Sequence, residues 1–150
     1  MKKNGFTLIE LLATIIVLGI ISLIAFPLIS DTISDQKEKL YKRQVATIVD
    51  AAKSIAAKNT NLLPNEREQS MVSIDYLLKQ GILEGTDITD PKTSSKLDGC
   101  VKIQYNSSYN QYEYEFINKE EINSGHFCNE ALNQHSYCTL TSLGRVNCES

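Results

Sequence analysis

Between Phe6 and Ile29 there is no lysine, arginine or aspartate, and Glu10 is the only charge. At about 1.5 Å per residue a helix of that length spans the roughly 30 Å hydrocarbon core of a bilayer. The run also lacks what a discarded signal needs. It exceeds the roughly 7–15 apolar residues of a secretory signal, and its far end, Ala25-Phe-Pro-Leu-Ile-Ser30, offers no Ala-x-Ala site, so the segment is expected to be kept. There is no Cys-x-x-Cys among the four cysteines and there are only two histidines, His126 and His135, which argues against structural zinc; no metal and no cofactor is expected. Lys2 and Lys3 are two of the fifteen cations and Glu10 one of the eighteen carboxylates, so the chain from Asp31 onward carries −4. That part has no long charge run, and no direct nucleic-acid binding is expected of it.

What is present begins with the basic leader. Lys2 and Lys3 stand directly before the apolar run and should stay cytoplasmic, which sends the chain after Ile29 outside. A carboxylate inside a membrane helix costs about 2.5–3.5 kcal/mol, so Glu10 needs a reason. One reading is local: Glu10 lies one turn into the helix and complements its positive N-terminus. The other needs a cut between Gly5 and Phe6, which would create an amine four residues before Glu10. Such amines are mostly protonated near neutral pH, and on a neighbouring copy that amine would be the counter-charge that sets helix register.

The segment Lys3-Asn-Gly5-Phe6-Thr-Leu-Ile-Glu10-Leu-Leu12 closely resembles the N-terminal signature of type IV prepilins and of the pseudopilins of type II secretion and competence machines. The resemblance covers about the first thirty residues. It implies cleavage after Gly5 by a membrane-embedded prepilin peptidase, N-methylation of Phe6, and an assembly role for Glu10. It also implies a helix bend at Pro27, and partners in other copies or related pilins and in an inner-membrane assembly platform. The expected divisions are a leader over 1–5, an apolar membrane and assembly helix over 6–29, and an extracytoplasmic domain over 30–150, of which 30–58 continues the helix.

All four cysteines, Cys100, Cys128, Cys138 and Cys148, fall on the outer side, as suits disulfides in a small exported domain. Four cysteines allow three pairings; a Cys100–Cys128 pair with a local Cys138–Cys148 loop is the expectation. Asp31 to Lys58 contains no glycine or proline. Tyr41, Val45, Ile48, Ala52 and Ile55 recur there at spacings of three and four, the apolar stripe of an amphipathic helix. With the apolar run this makes one helix near 80 Å long, bent or broken at Pro27. Ser73 to Gln80 reads as a short helix, capped by Ser73 and stopped by Gly81. Val101, Ile103 and Tyr105 alternate with polar residues, as do Tyr112, Tyr114 and Phe116. Joined by Asn106–Gln111, they form an antiparallel hairpin whose apolar face lies on the helix stripe. The tail from Glu120 reads as irregular, with one short strand near Tyr137–Thr141. The fold class is therefore α+β: a long N-terminal helix on a small antiparallel sheet with a disulfide-stapled C-terminal region, as the resemblance also implies.

Catalysis is not expected. Asp87, Asp90 and Asp98 suggest a calcium loop, but their spacing fits none, and aspartate before proline or glycine is ordinary turn chemistry. His126 and His135 have no activated nucleophile near them. Asn106-Ser-Ser is a formal glycosylation sequon, and Tyr109, Tyr112 and Tyr114 read as cross-strand packing. The function implied is a structural subunit of a type IV pilus-like filament. The alternatives are a secretion or competence pseudopilin and, less favoured, a membrane-anchored binding module that does not polymerise.

Overall fold

The computed structural model describes residues 6–85, 88–123, 126–134 and 136–149, with side chains described throughout except at 25–31. The chain divides by compactness into Met1–Lys39 and Leu40–Ser150. One helix, α1 (Leu8–Lys58, 51 residues), runs through both stretches of sequence.

From Leu8 to Ile24 α1 has apolar side chains on every side. Phe6, Leu8, Leu12, Ile16, Ile20 and Ile24 are all at least half exposed. A helix apolar all round has no aqueous face, so it must be buried by something else. Two of its hydroxyls are satisfied by its own backbone, with Thr14 Oγ1 donating to Leu11 O and Ser22 Oγ to Leu18 O, each at 2.7 Å. Such back-bonding removes the penalty of placing a hydroxyl in an apolar medium. Among the described residues no helix is long and apolar enough to cross a membrane. The membrane-embedded half expected over 6–29 is thus not shown, and Pro27, where a bend or break is expected, lies outside the described side chains.

The second unit is built on a five-stranded antiparallel sheet of order β3-β2-β1-β4-β5. The strands are β1 (Gln69–Ser73), β2 (Gly99–Asn106), β3 (Gln111–Asn118), β4 (Tyr137–Leu140) and β5 (Val146–Glu149). Two short helices complete it, α2 (Ile74–Lys79) and α3 (Cys128–Asn133). On one face of the sheet, Ile48, Ala52 and Ile55 of α1 are buried with Val72, Val101 and Ile103, and Tyr41, Tyr112, Tyr114 and Phe116 pack around them. Ala51 and Ala56 widen the expected stripe; their small side chains let the helix approach the strands closely. The expected hairpin forms, with Val101 opposite Phe116, Ile103 opposite Tyr114 and Tyr105 opposite Tyr112. Ser73 caps α2 by accepting from Tyr76 N at 3.2 Å, and Gly81 follows at φ +65°, a left-handed stop that glycine adopts without strain.

The other face holds a second cluster. Met71, Cys100, Cys128, Ala131, Leu132 and Cys138 are buried together, so α3 covers one end of the sheet from behind. Disulfides join Cys100 to Cys128 and Cys138 to Cys148, with Cα atoms 6.1 Å and 4.0 Å apart. The first fastens α3 to β2 and the second fastens β5 to β4.

Three elements were not expected from the sequence. β1 reads Gln-Ser-Met-Val-Ser without alternation because Ser70 to Ser73 are buried on both faces, between α1 and α3, which erases the period-two pattern. α3 is only six residues long, and β5 has a single partly buried side chain, Cys148. The strand expected near Tyr137–Thr141 is β4, ending one residue earlier at Leu140.

Candidate functional site

The site assembled from the sequence lies at the start of α1. Gly5, the expected cut point, is outside the described residues; Phe6 is 82% exposed. Thr7 stands just before the helix and Glu10 in its first turn. The Thr7 N–H donates to Glu10 Oε2 at 3.0 Å, and Thr7 Oγ1 donates to the same oxygen at 2.8 Å. Glu10 N–H in turn reaches Thr7 Oγ1 at 3.4 Å. This reciprocal exchange is a capping box, in which a threonine and the glutamate three residues later satisfy the otherwise orphaned donors of a helix start.

The geometry bears on the two readings of Glu10. Within one chain its carboxylate serves its own helix, as the local reading expects. Both bonds converge on Oε2, and Oε1 has no partner among the described residues. The Thr7 amide lies beyond the Gly5–Phe6 bond, so a cut there leaves the capping box whole. Capping and pairing are therefore compatible, since one oxygen closes the helix and the other stays available. Thr7 is the participant that sequence reasoning passed over, although Thr7-Leu-Ile-Glu10 ahead of an apolar run has the spacing of a capping box.

Three of the residues weighed for catalysis or metal binding, Asp90, Asp98 and His126, make structural contacts. Asp90 accepts from Lys92 N at 2.7 Å and closes a turn. Asp98 pairs with Lys119 at 2.8 Å and accepts from Gly99 N at 3.0 Å. His126 Nδ1 accepts from Cys128 N at 3.2 Å, at the start of α3. Asp87 and His135 lie outside the described residues, and among the described ones no three such groups gather to hold a metal. The sequon amide of Asn106 donates to Glu113 at 2.6 Å. That bond, with a second from Gln104, holds the Glu113 carboxyl below its usual range. Tyr105 and Tyr112 form an edge-to-face pair with centroids 5.3 Å apart, while Tyr109 is 73% exposed at the hairpin tip.

A family model, the prokaryotic N-terminal methylation motif, matches residues 1–26. The chain thus carries the prepilin-type N-terminal signal characteristic of type IV pilins and pseudopilins. No curated protein and no solved structure matches it.

Proposed function

We propose that this chain is a structural subunit of a type IV pilus-like filament, processed at Gly5–Phe6 and polymerised through its apolar N-terminal helix. The observation that carries the reading is the methylation motif over residues 1–26, set on the start of a helix whose large apolar side chains from Leu8 to Ile24 are exposed.

Before assembly the 6–29 segment sits in the cytoplasmic membrane as a single span, with Lys2 and Lys3 inside and residues 30–150 outside. Prepilin peptidase cuts after Gly5 and methylates the new amine of Phe6. The apolar helices of successive copies then leave the lipid and pack together, directed by an inner-membrane assembly platform, so burial against protein replaces burial in lipid. The contact is head-to-tail and does not close on itself, and it therefore propagates. Glu10 guides each addition by pairing with the Phe6 amine of an adjacent copy. The role is structural, with no catalytic step assigned to the chain.

The test is to shear producing cells, collect filaments and weigh this protein's N-terminal peptide. Sheared filaments containing N-methylated Phe6 are expected. Processed protein confined to the membrane fraction would move the assignment to a pseudopilin, and an intact Met1 leader would overturn it.

A further inference from the structure

The two disulfides are buried to different extents. Cys100 on β2, Cys128 on α3 and Cys138 on β4 are all fully buried, whereas Cys148 is partly exposed. Cys148 lies on β5, and the rest of that strand contributes little: Val146 is 40% exposed, and Asn147 and Glu149 face solvent. β5 is an edge strand of four residues paired only with β4. Apart from that ladder it is held by the Cys138–Cys148 bond and by the Tyr137 hydroxyl, which donates to Glu149 at 2.5 Å.

We infer that Cys138–Cys148 is a reducible clip on the sheet edge, opened by an extracytoplasmic dithiol in the folded protein, while Cys100–Cys128 stays closed. Thiol–disulfide exchange needs an attacking thiolate to reach a sulfur. The partly exposed Cys148 is the reachable one. Attack there forms a mixed disulfide on Cys148 and expels Cys138 as a thiolate, which takes up a proton. The second thiol of the reductant then displaces Cys148 and closes the reductant's own disulfide, so two electrons pass to the protein. With the clip open, β5 has no covalent cross-link and almost no apolar burial, and its departure leaves unpaired those backbone donors and acceptors of β4 that face away from β1. An open edge of that kind accepts another strand. The buried bridge offers no sulfur without prior opening of α3, so its reduction tracks a rarer fluctuation.

The experiment uses the full-length chain in detergent micelles, titrated with dithiothreitol under native conditions. Thiols are alkylated first in the folded state and again, with a second reagent, after denaturation and complete reduction. Expected is alkylation of Cys138 and Cys148 at least about tenfold faster than of Cys100 and Cys128. Glutathione trapping should place the adduct on Cys148. Amide exchange should rise at β5 and β4 and stay unchanged in β2 and β3. Simultaneous opening of both bridges, an adduct on Cys138, or unchanged exchange at β5 would each overturn the inference. The double variant Cys138→Ser/Cys148→Ser should keep β2 and β3 protected and lose protection at β5. Loss throughout the sheet would equally overturn it, because the bond would then hold the whole sheet and not one edge.

Discussion

Glu10 caps its own helix and is proposed to pair across copies, and three substitutions separate the two. Thr7→Val removes the hydroxyl that bonds Oε2 at 2.8 Å and receives Glu10 N at 3.4 Å, but leaves the Thr7 N–H bond and the carboxylate charge in place. Loss of a helix cap costs about 1 kcal/mol, or roughly fivefold in an equilibrium constant. Glu10→Gln keeps an acceptor oxygen for the cap but deletes the charge. If Glu10 pairs with the Phe6 amine of an adjacent copy, that change leaves a desolvated amine unpaired, at about 3 kcal/mol or two orders of magnitude per contact. Glu10→Ala loses both. The assay is the ratio of sheared filament to membrane-bound mature protein, read by immunoblot, with the extent of leader removal as a control. Membrane insertion should be unaffected in all three. Filament yield should fall slightly for Thr7→Val and collapse for Glu10→Gln and Glu10→Ala. Normal assembly of Glu10→Gln alongside failure of Thr7→Val would refute the pairing argument and leave Glu10 as a helix cap only.

Replacing Gly5 with a bulky residue should block processing, seen as precursor accumulating on a mass-resolved immunoblot. Gly99 on β2 has no room for a side chain, because an added Cβ would press on the Ile117 carbonyl and come within 2.9 Å of the Phe116 ring. Gly99→Ala should therefore destabilise the domain by about 1–3 kcal/mol in urea unfolding, and an unchanged midpoint would contradict the packing described. Ile48 is fully buried between α1 and the sheet, and Ile48→Ala should cost about 2–5 kcal/mol by the same measurement. Burial, and then the bond to Glu149, push the Tyr137 hydroxyl up to about 12. The neutral hydroxyl is the form the fold favours, so its contribution is complete below about pH 10 and is lost as pH rises toward 12. Tyr137→Phe should shrink that alkaline loss in a pH series of thermal unfolding.

Much of this molecule was legible because its elements obey one periodicity each. The Tyr41–Ile55 stripe has one buried face, and the hairpin from Val101 to Phe116 alternates because one side meets α1. Ser73 and Gly81 mark the ends of α2 by turn chemistry that needs no tertiary context. β1 was illegible for the opposite reason: with Ser70 and Val72 buried on one face and Met71 on the other, no residue in it contrasts with its neighbours. β5 was illegible because almost nothing in it is buried; its place is set by backbone pairing and by Cys148. At the N-terminal site Gly5, Phe6 and Glu10 stood out by chemistry, whereas Thr7 did not. Its one signal is the spacing Thr7-Leu-Ile-Glu10, which the charge of Glu10 overshadows.

The sheet order also constrains how the domain comes into being. β2 with β3, and β4 with β5, are hairpins of neighbouring sequence, and they share no ladder with each other. Only β1 joins them, pairing Gln69 with both Gln104 and Leu140. Each ribbon can form by quick local closure, while the keystone strand, made first, must wait for partners far along the chain. Within the sheet the two ribbons are therefore coupled through the five residues of β1, and pulsed exchange labelling that found β1 protected before either ribbon would contradict that order.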